Sequence, residues 1–284
     1  MSELGALLRR TARRLATAGI ADADLEADLI WMTALELDRP SLYAALRDEP
    51  SPAEQDVATA LESRRLNHEP AAYLMGKREF YGLTLAVAPG VLVPRPDTEA
   101  LVEEARTLAR TMPSSLRIAD VGCGAGPIAL ALATHLPGAL VHALDIAPRA
   151  LELTALNAER LGLAARVHVA KSDLLAALPE PVHLMTANLP YVCSWEIPTL
   201  EPEVRLFEPR EALDGGEDGL ELYRRLLAQA PAMLLPGGAL LAELDPRQMT
   251  GATALARDAF PVAHVHTVND LAGRARVVVV KLPG

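Results

Sequence analysis

The chain has 284 residues, enough at ~100 to 200 residues per domain for one large domain or for a large and a small one. Hydrophobic residues make up 50% and charged residues 23%, which excludes a disordered or collagen-like chain. Lys plus Arg number 27 against 37 Asp plus Glu, a net charge of −10, so affinity built mainly on neutralising nucleic-acid phosphates is disfavoured.

Only Cys123 and Cys193 occur, which gives neither a disulfide framework nor a thiol pair at metal-ligand spacing, and a reducing cytoplasm is the expected location. At the N-terminus, Arg9, Arg10, Arg13 and Arg14 interrupt the apolar stretch a signal peptide needs, while Leu4, Leu7, Leu8 and Leu15 recur on one helix face. The arginine cluster reads as a solvated face, or on an acidic protein as a contact for a ribosomal or translation-factor surface. Between Asp120 and Asp145 no charged residue occurs, but Gly122, Gly124, Gly126, Pro127, Pro137 and Gly138 break the run. A membrane span needs ~20 continuous apolar residues, so this stretch reads as strand, turn, helix, turn, strand, and no membrane partner is expected.

In chain order, residues 1–75 read as a small all-helical domain, with Leu25, Leu29 and Met32 on one face and Ser51-Pro52-Ala53-Glu54 as cap, first-turn proline and capping-box Glu. Residues 76–96 read as an extended or hairpin linker: Leu83-Thr84-Leu85-Ala86-Val87 alternates, and Pro89-Gly90 supplies a turn before Val91-Leu92-Val93. A helix over about 97–110 opens the last domain, 97–284. Strands are expected near 116–121, 139–145, 166–170, 182–187, 238–243, 262–267 and 275–281, mostly separated by helices. This alternation predicts an α/β fold with a doubly wound, mostly parallel seven-stranded sheet.

In such sheets ligands bind beyond the carboxyl ends of the strands, so the residues that follow each strand matter most. The first strand leads into Asp120-Val121-Gly122-Cys123-Gly124-Ala125-Gly126, where glycines let the backbone approach a ligand. Its spacing differs from the dinucleotide fingerprint, and Asp120 precedes it, which shifts the expected ligand toward a nucleoside with a cationic tail. Asp145 follows the second strand, placed to accept ribose hydroxyls or to cap the helix that begins near Pro148. Ser172-Asp173 follows the third, placed to meet an adenine edge or again to cap. Together they resemble the S-adenosylmethionine site of class I methyltransferases, which implies cofactor contacts by Asp120, Gly122, Cys123, Gly124, Gly126, Asp145, Ser172, Asp173 and Asn188.

The fourth strand leads into Asn188-Leu189-Pro190-Tyr191, which resembles the Asn-Pro-Pro-Tyr signature of methyltransferases acting on planar nitrogens. An amide nitrogen is a poor nucleophile because its lone pair is delocalised. The Asn188 side-chain oxygen and the Leu189 carbonyl take one hydrogen each, Tyr191 walls the planar group, and Asn188, Leu189, Pro190 and Tyr191 carry catalysis by orientation and fixed dipoles. A strand-ending turn with Tyr191 in the core is the alternative.

Pro70–Gly82, Pro94-Arg95-Pro96-Asp97-Thr98-Glu99, Phe207-Glu208-Pro209-Arg210 and Asp270–Arg276 extend the likeness over nearly the whole chain. In these segments the chain resembles the peptide chain release factor N(5)-glutamine methyltransferases. The resemblance implies the class I methyltransferase fold, S-adenosylmethionine as methyl donor with S-adenosylhomocysteine as product, and no metal. It implies the glutamine of a Gly-Gly-Gln motif in class I release factors as acceptor, with 1–75 docking that partner. Substrate contacts are expected from Arg95, Asp97, Glu99 and Glu208 beside Asn188–Tyr191, although Asp97 or Thr98 also reads as a helix cap. Two departures are Leu189 in place of the first proline of the signature, and Cys123 with Pro127 in the glycine loop. Adenine in nucleic acid and a glutamine of a ribosomal protein are the alternative acceptors; a nucleoside-binding scaffold is the non-enzymatic alternative. His264 and His266 share a strand face without a carboxylate or thiol at ligand spacing, and Asp214–Gly219 reads as a solvated loop.

Overall fold

The computed structural model describes residues 3–270 and 272–284; Met1, Ser2 and Leu271, the last within the Asp270–Arg276 segment, lie outside the described residues. Two compact units are present, one of residues 1–77 with 201–207, the other of 78–200 with 208–284.

The first unit contains α1 (Leu4–Thr17), α2 (Ala23–Leu35), α3 (Arg39–Ala44), α4 (Pro52–Leu66) and α5 (Ala71–Met75). The leucines of α1 pack on Ile30, Trp31, Leu42 and Leu61, and the Trp31 indole N–H donates to the Thr11 hydroxyl at 3.2 Å. Ser51 and Glu54 form the expected capping box of α4. The buried face of α2 differs from the expected one: Ala27, Ile30 and Trp31 point inward while Leu25 is exposed. Apolar residues surround this helix, and the largest ring settles the choice by taking the centre of the core. Segment 201–207, which sequence placed with the catalytic domain, joins this unit, where Glu203 meets the buried Arg65 guanidinium at 3.1 Å.

The second unit begins with a hairpin of β1 (Lys77–Phe80) and β2 (Leu83–Ala86). The hairpin therefore lies one strand earlier than expected, and 91–93 is not a strand. Tyr81 and Gly82 both adopt positive φ, 49° and 74°, the two-residue turn whose twist suits antiparallel strands. Sequence alone gave no reason to place a tyrosine there. The Glu99 carboxylate accepts the Tyr81 backbone N–H at 2.9 Å and holds the turn.

The main sheet follows as α6 (Glu99–Ala109), β3 (Arg117–Val121), α7 (Pro127–His135), β4 (Leu140–Asp145), α8 (Pro148–Arg160), β5 (Val167–Lys171) and β6 (Val182–Ala187). After α9 (Pro202–Phe207), which belongs to the first unit, the second unit continues with α10 (Glu221–Met233), β7 (Leu234–Glu243), α11 (Met249–Ala259), β8 (His264–Asn269) and β9 (Ala275–Lys281). Strand order is β5-β4-β3-β6-β7-β9-β8, parallel except for β9. Successive strand residues face opposite layers. Ile118, Leu184, Leu241, Val277 and Val279 pack with α6, α7 and α8, whereas Ala119, Val121, Met185, Leu240, Val278 and Val280 pack with α10 and α11. The class I methyltransferase fold is present.

Strand order reverses between β3 and β6, where Asp120 pairs in register with Thr186. The Asp120 carboxylate is fully buried and accepts the Thr186 hydroxyl at 2.9 Å and the Ala129 N–H of α7 at 3.1 Å. Burial raises its pKa to about 7. On the helix side, the Asn157 amide of α8 donates to the carbonyls of Ala86 (3.0 Å) and Ala125 (2.9 Å) and accepts the Ala86 N–H (2.7 Å), joining the hairpin to the glycine loop.

Two stability predictions follow from these buried groups. Asn157→Ala strands one N–H and two carbonyls in the interior, so urea unfolding should report a loss of about 2–4 kcal/mol. Asp120 keeps its proton in the folded protein up to about pH 7 but loses it near 3.8 in the unfolded chain. Its ionisation therefore makes stability fall as pH rises through that window. Asp120→Asn should remove this limb, so the variant gains on wild type by roughly 2–4 kcal/mol between pH 4 and 8; parallel curves would contradict the protonated carboxyl.

Candidate active site

Beyond the carboxyl ends of β3, β4, β5 and β6 lies a cavity of about 590 Å³, within the size range of small-molecule sites. Its floor is the glycine loop. Gly122, Gly124 and Gly126 all have positive φ (74°, 57° and 85°), and a Cβ on Gly122 would come within 2.9 Å of Leu189 Cδ2. The loop is anchored by Asp145, whose Oδ2 accepts the Gly124 N–H and whose Oδ1 accepts the Ala147 N–H, each at 2.9 Å. Asp145 thus braces both loops at the strand ends, while α8 itself begins without a side-chain cap. Burial raises its pKa, although these N–H bonds oppose the shift. Thr154, absent from the sequence reading, donates its hydroxyl to the Gly124 carbonyl at 2.8 Å from below.

Cys123 lines the cavity and is buried, its sulfur 3.6 Å from the Thr154 hydroxyl. Burial and the Asp120 and Asp145 carboxylates push its thiol well above its ordinary pKa, so it acts as a packing residue. Asp120 does not line the cavity. Side chains alternate along β3, and since Val121 faces the cavity, Asp120 must face the other way.

Ser172 and Asp173 both border the cavity, with different duties. The Ser172 hydroxyl donates to the Leu174 carbonyl (2.7 Å) and accepts the Ala177 N–H (3.0 Å), which occupies it within its own turn. Asp173 is half exposed and held by Arg225 of α10 at 2.7 Å, a further cavity residue with no sequence signal. Ile146, 58% exposed, offers an apolar face beside Asp145.

Asn188, Leu189 and Pro190 line the opposite wall. Asn188 Nδ2 donates to the Thr98 hydroxyl at 3.1 Å, so Thr98 braces the acceptor turn; α6 starts without a side-chain cap from Thr98. Tyr191, expected to wall the acceptor, lies outside the cavity lining and packs on the α10–α11 layer. Burial, with Glu243 nearby, pushes its hydroxyl up to about 12, and its carbonyl accepts Gln248 Nε2 at 2.8 Å.

Of the four further substrate candidates, only Arg95 lines the cavity; its Nη2 lies 2.7 Å from both oxygens of the buried Glu208 carboxylate. Asp97 is bound by Arg276 (2.7 Å) and Arg274 (3.2 Å), and Glu99 by the Tyr81 N–H, so both fasten neighbouring elements instead of facing the cavity. The Asp214–Gly219 loop is likewise self-tethered, with Asp214 accepting Ser194 and Gly216 and Asp218 accepting Leu220. Among the described residues no cluster of three or more His, Cys, Asp or Glu is arranged to hold a metal ion, and no helix is long and apolar enough to cross a membrane.

Residues 6–76 match the family model of the PrmC N-terminal domain, and residues 98–197 that of the methyltransferase small domain. The chain is 43% identical over 271 residues to the release factor glutamine methyltransferase of Moorella thermoacetica, covering 95% of each protein. It is 42% identical over 273 residues to that of Bradyrhizobium diazoefficiens, covering 95% of this chain and 92% of the relative. The ribosomal protein L11 methylase of Lactobacillus delbrueckii subsp. bulgaricus shares the fold, with TM-score 0.51 and 20% identity over 70% of this chain and 84% of that one. Since alignments above 40% identical span 95% of its length, the chain is a methyltransferase and belongs to the release factor glutamine methyltransferase family.

Proposed function

We propose that this protein transfers a methyl group from S-adenosylmethionine to the side-chain amide nitrogen of the glutamine in the Gly-Gly-Gln motif of class I peptide chain release factors, in the cytoplasm. The observation that carries this reading is that Asn188, Leu189 and Pro190 share one cavity with the glycine loop and Asp145. Donor and acceptor sites therefore meet.

The cavity fits the donor. Its glycine floor has no Cβ to obstruct a close ligand, Asp145 retains lone pairs for ribose hydroxyls, and Asp173 remains accessible to an exocyclic amine. Ile146 gives a flat base an apolar neighbour. When bound, S-adenosylmethionine supplies a methyl on a sulfonium, an electrophile strong enough for a weak nucleophile. Leu189 presents a backbone carbonyl and Asn188 a side-chain oxygen, two acceptors for the two hydrogens of a primary amide. Holding both hydrogens fixes the amide plane and polarises its N–H bonds, raising electron density on the nitrogen, which gains the methyl as the carbon–sulfur bond breaks and gives up one of the held protons, so catalysis comes from orientation and fixed dipoles. A single glutamine side chain is too small to select one site among many. We assign that selection to contacts with the folded release factor made by the helical unit, and at the cavity by Arg95.

Three measurements test the reading. Asn188→Ala should lower kcat on purified release factor by about 10²–10³, with donor affinity nearly unchanged; wild-type turnover would remove Asn188 from the mechanism. Asp145→Ala should weaken donor binding by calorimetry by ~1.5–3 kcal/mol, the worth of hydrogen bonds to a charged group. Labelled methyl appearing on DNA or RNA as readily as on release factor would refute the acceptor assignment.

A further inference from the structure

Behind the acceptor wall lies a carboxylate that the proposed reaction does not use. Glu243, the last residue of β7, is 2% exposed, and its Oε2 completes no hydrogen bond. A buried carboxylate kept for stability is normally paired. Arg276, the cation that acts on Glu243, gives its Nη2 to Asp97 at 2.7 Å instead. Ala242 of β7 pairs in register with Ala187 of β6, so Glu243 lies beside Asn188 at the adjoining strand ends, and Thr98 and Asn188 are the hydrogen-bonding groups that act on its carboxylate.

We propose that Glu243 is the positioning residue that decides which atom of the Asn188 amide faces the acceptor nitrogen. An ionised carboxylate only accepts hydrogen bonds, so Thr98 must offer it the O–H and Asn188 must turn its N–H₂ inward. The Asn188 Nδ2 bond to Thr98 Oγ1 at 3.1 Å agrees with this order, since the hydroxyl oxygen accepts from Asn188 while its proton remains free for Glu243. Asn188 Oδ1 is then left for the substrate. With the opposite flip, Asn188 would present donors to an amide N–H₂ that is itself a donor, and the clamp would repel.

The arrangement is sensitive to pH. Burial raises the pKa of Glu243 to about 7, with Asp97 acting in the same direction and Arg276 opposing it; the Tyr191 hydroxyl also feels this carboxylate. Protonated Glu243 becomes a donor, the Thr98 hydroxyl can reverse, and the amide of Asn188 loses its fixed sense.

The inference rests on the proposed function, and its test separates the two. Glu243→Met removes the acceptor at similar volume: kcat on release factor should fall about tenfold or more, while KM, donor affinity and melting temperature hold or the last rises. Glu243→Gln carries both an acceptor and a donor, as the protonated acid does, so it should hold kcat at pH 8 near the lowered acidic value and lose the acidic limb of the wild-type kcat profile. If Glu243→Met does not fold, Thr98→Val breaks the same relay with the carboxylate in place and should lower kcat without raising KM. Independently of turnover, the Asn188 side-chain ¹⁵N–¹H₂ signals, identified by their loss in Asn188→Ala, should shift with an inflection near pH 7 in wild type and not in Glu243→Gln. Wild-type kcat in Glu243→Met, or the same acidic limb and the same NMR titration in Glu243→Gln, would overturn the inference. A wild-type enzyme that methylates no release factor would overturn the functional reading and leave the NMR titration to judge Glu243.

Discussion

Neighbouring parallel strands whose connections leave on opposite sides cannot close their own ends, and at β3 and β6 this leaves a crevice that only loop backbone can fill. Everything in the site depends on how closely those two loops approach. Gly122 and Leu189 meet so tightly that a single Cβ on the glycine would collide with the leucine methyl. The glycine loop and the Asn188–Tyr191 turn thus share one packed contact. Asp120 joins the same two strands one layer below, through Thr186, and continues to α7 through the Ala129 N–H. A shift in either strand would move both halves of the site together.

Around that contact, polar groups hold irregular backbone that the sheet cannot. The segment from Arg95 to Glu99 divides this work: Arg95 covers the buried Glu208, Asp97 takes Arg276 and Arg274, Thr98 holds Asn188, and Glu99 secures the turn at Tyr81. Residues that resemble a substrate-recognition motif are largely occupied with fixing the acceptor wall. On the proposed function, selectivity arises this way without contact, because a clamp that must grip a planar amide tolerates little rotation. Within that segment Arg95 and Thr98 border the cavity.

The sheet was legible because period-two and helical patterns alternate strongly from residue 116 onward, and the turn residues after each strand fell where ligand groups belong. Three of the differences between expectation and structure show their reasons plainly. On α2, apolar residues on every side left the buried face to be settled by the bulk of Trp31. The hairpin turn used Tyr81 at positive φ, a conformation that side chains other than glycine, Asn and Asp seldom advertise. Asp120 sits beside the glycine loop in sequence but on the opposite side of its strand, which strict alternation with Val121 would have revealed. Thr154, Arg225 and Glu243 gave no local signal at all, and Thr98 read only as a helix cap. Each acts through a partner distant in sequence, and only the sheet register brings them together.

Leu189 shows how such a network absorbs a departure from the expected signature. Proline at that position would restrict φ directly and stiffen the turn by its own ring. Leucine leaves the backbone freer, yet its side chain is 6% exposed and wedged against the Gly122 backbone, and the preceding Asn188 is tied to Thr98. On the other flank the Tyr191 carbonyl is held by Gln248. The turn is therefore restrained on both sides of the Leu189 carbonyl, and rigidity comes from packing and side-chain bonds instead of a ring. Packing of this kind is cooperative. It makes the Leu189 turn depend on Gly122, Thr98 and Gln248 more strongly than a proline turn would, so substitutions tolerated at those positions beside a proline should be felt more sharply in this chain.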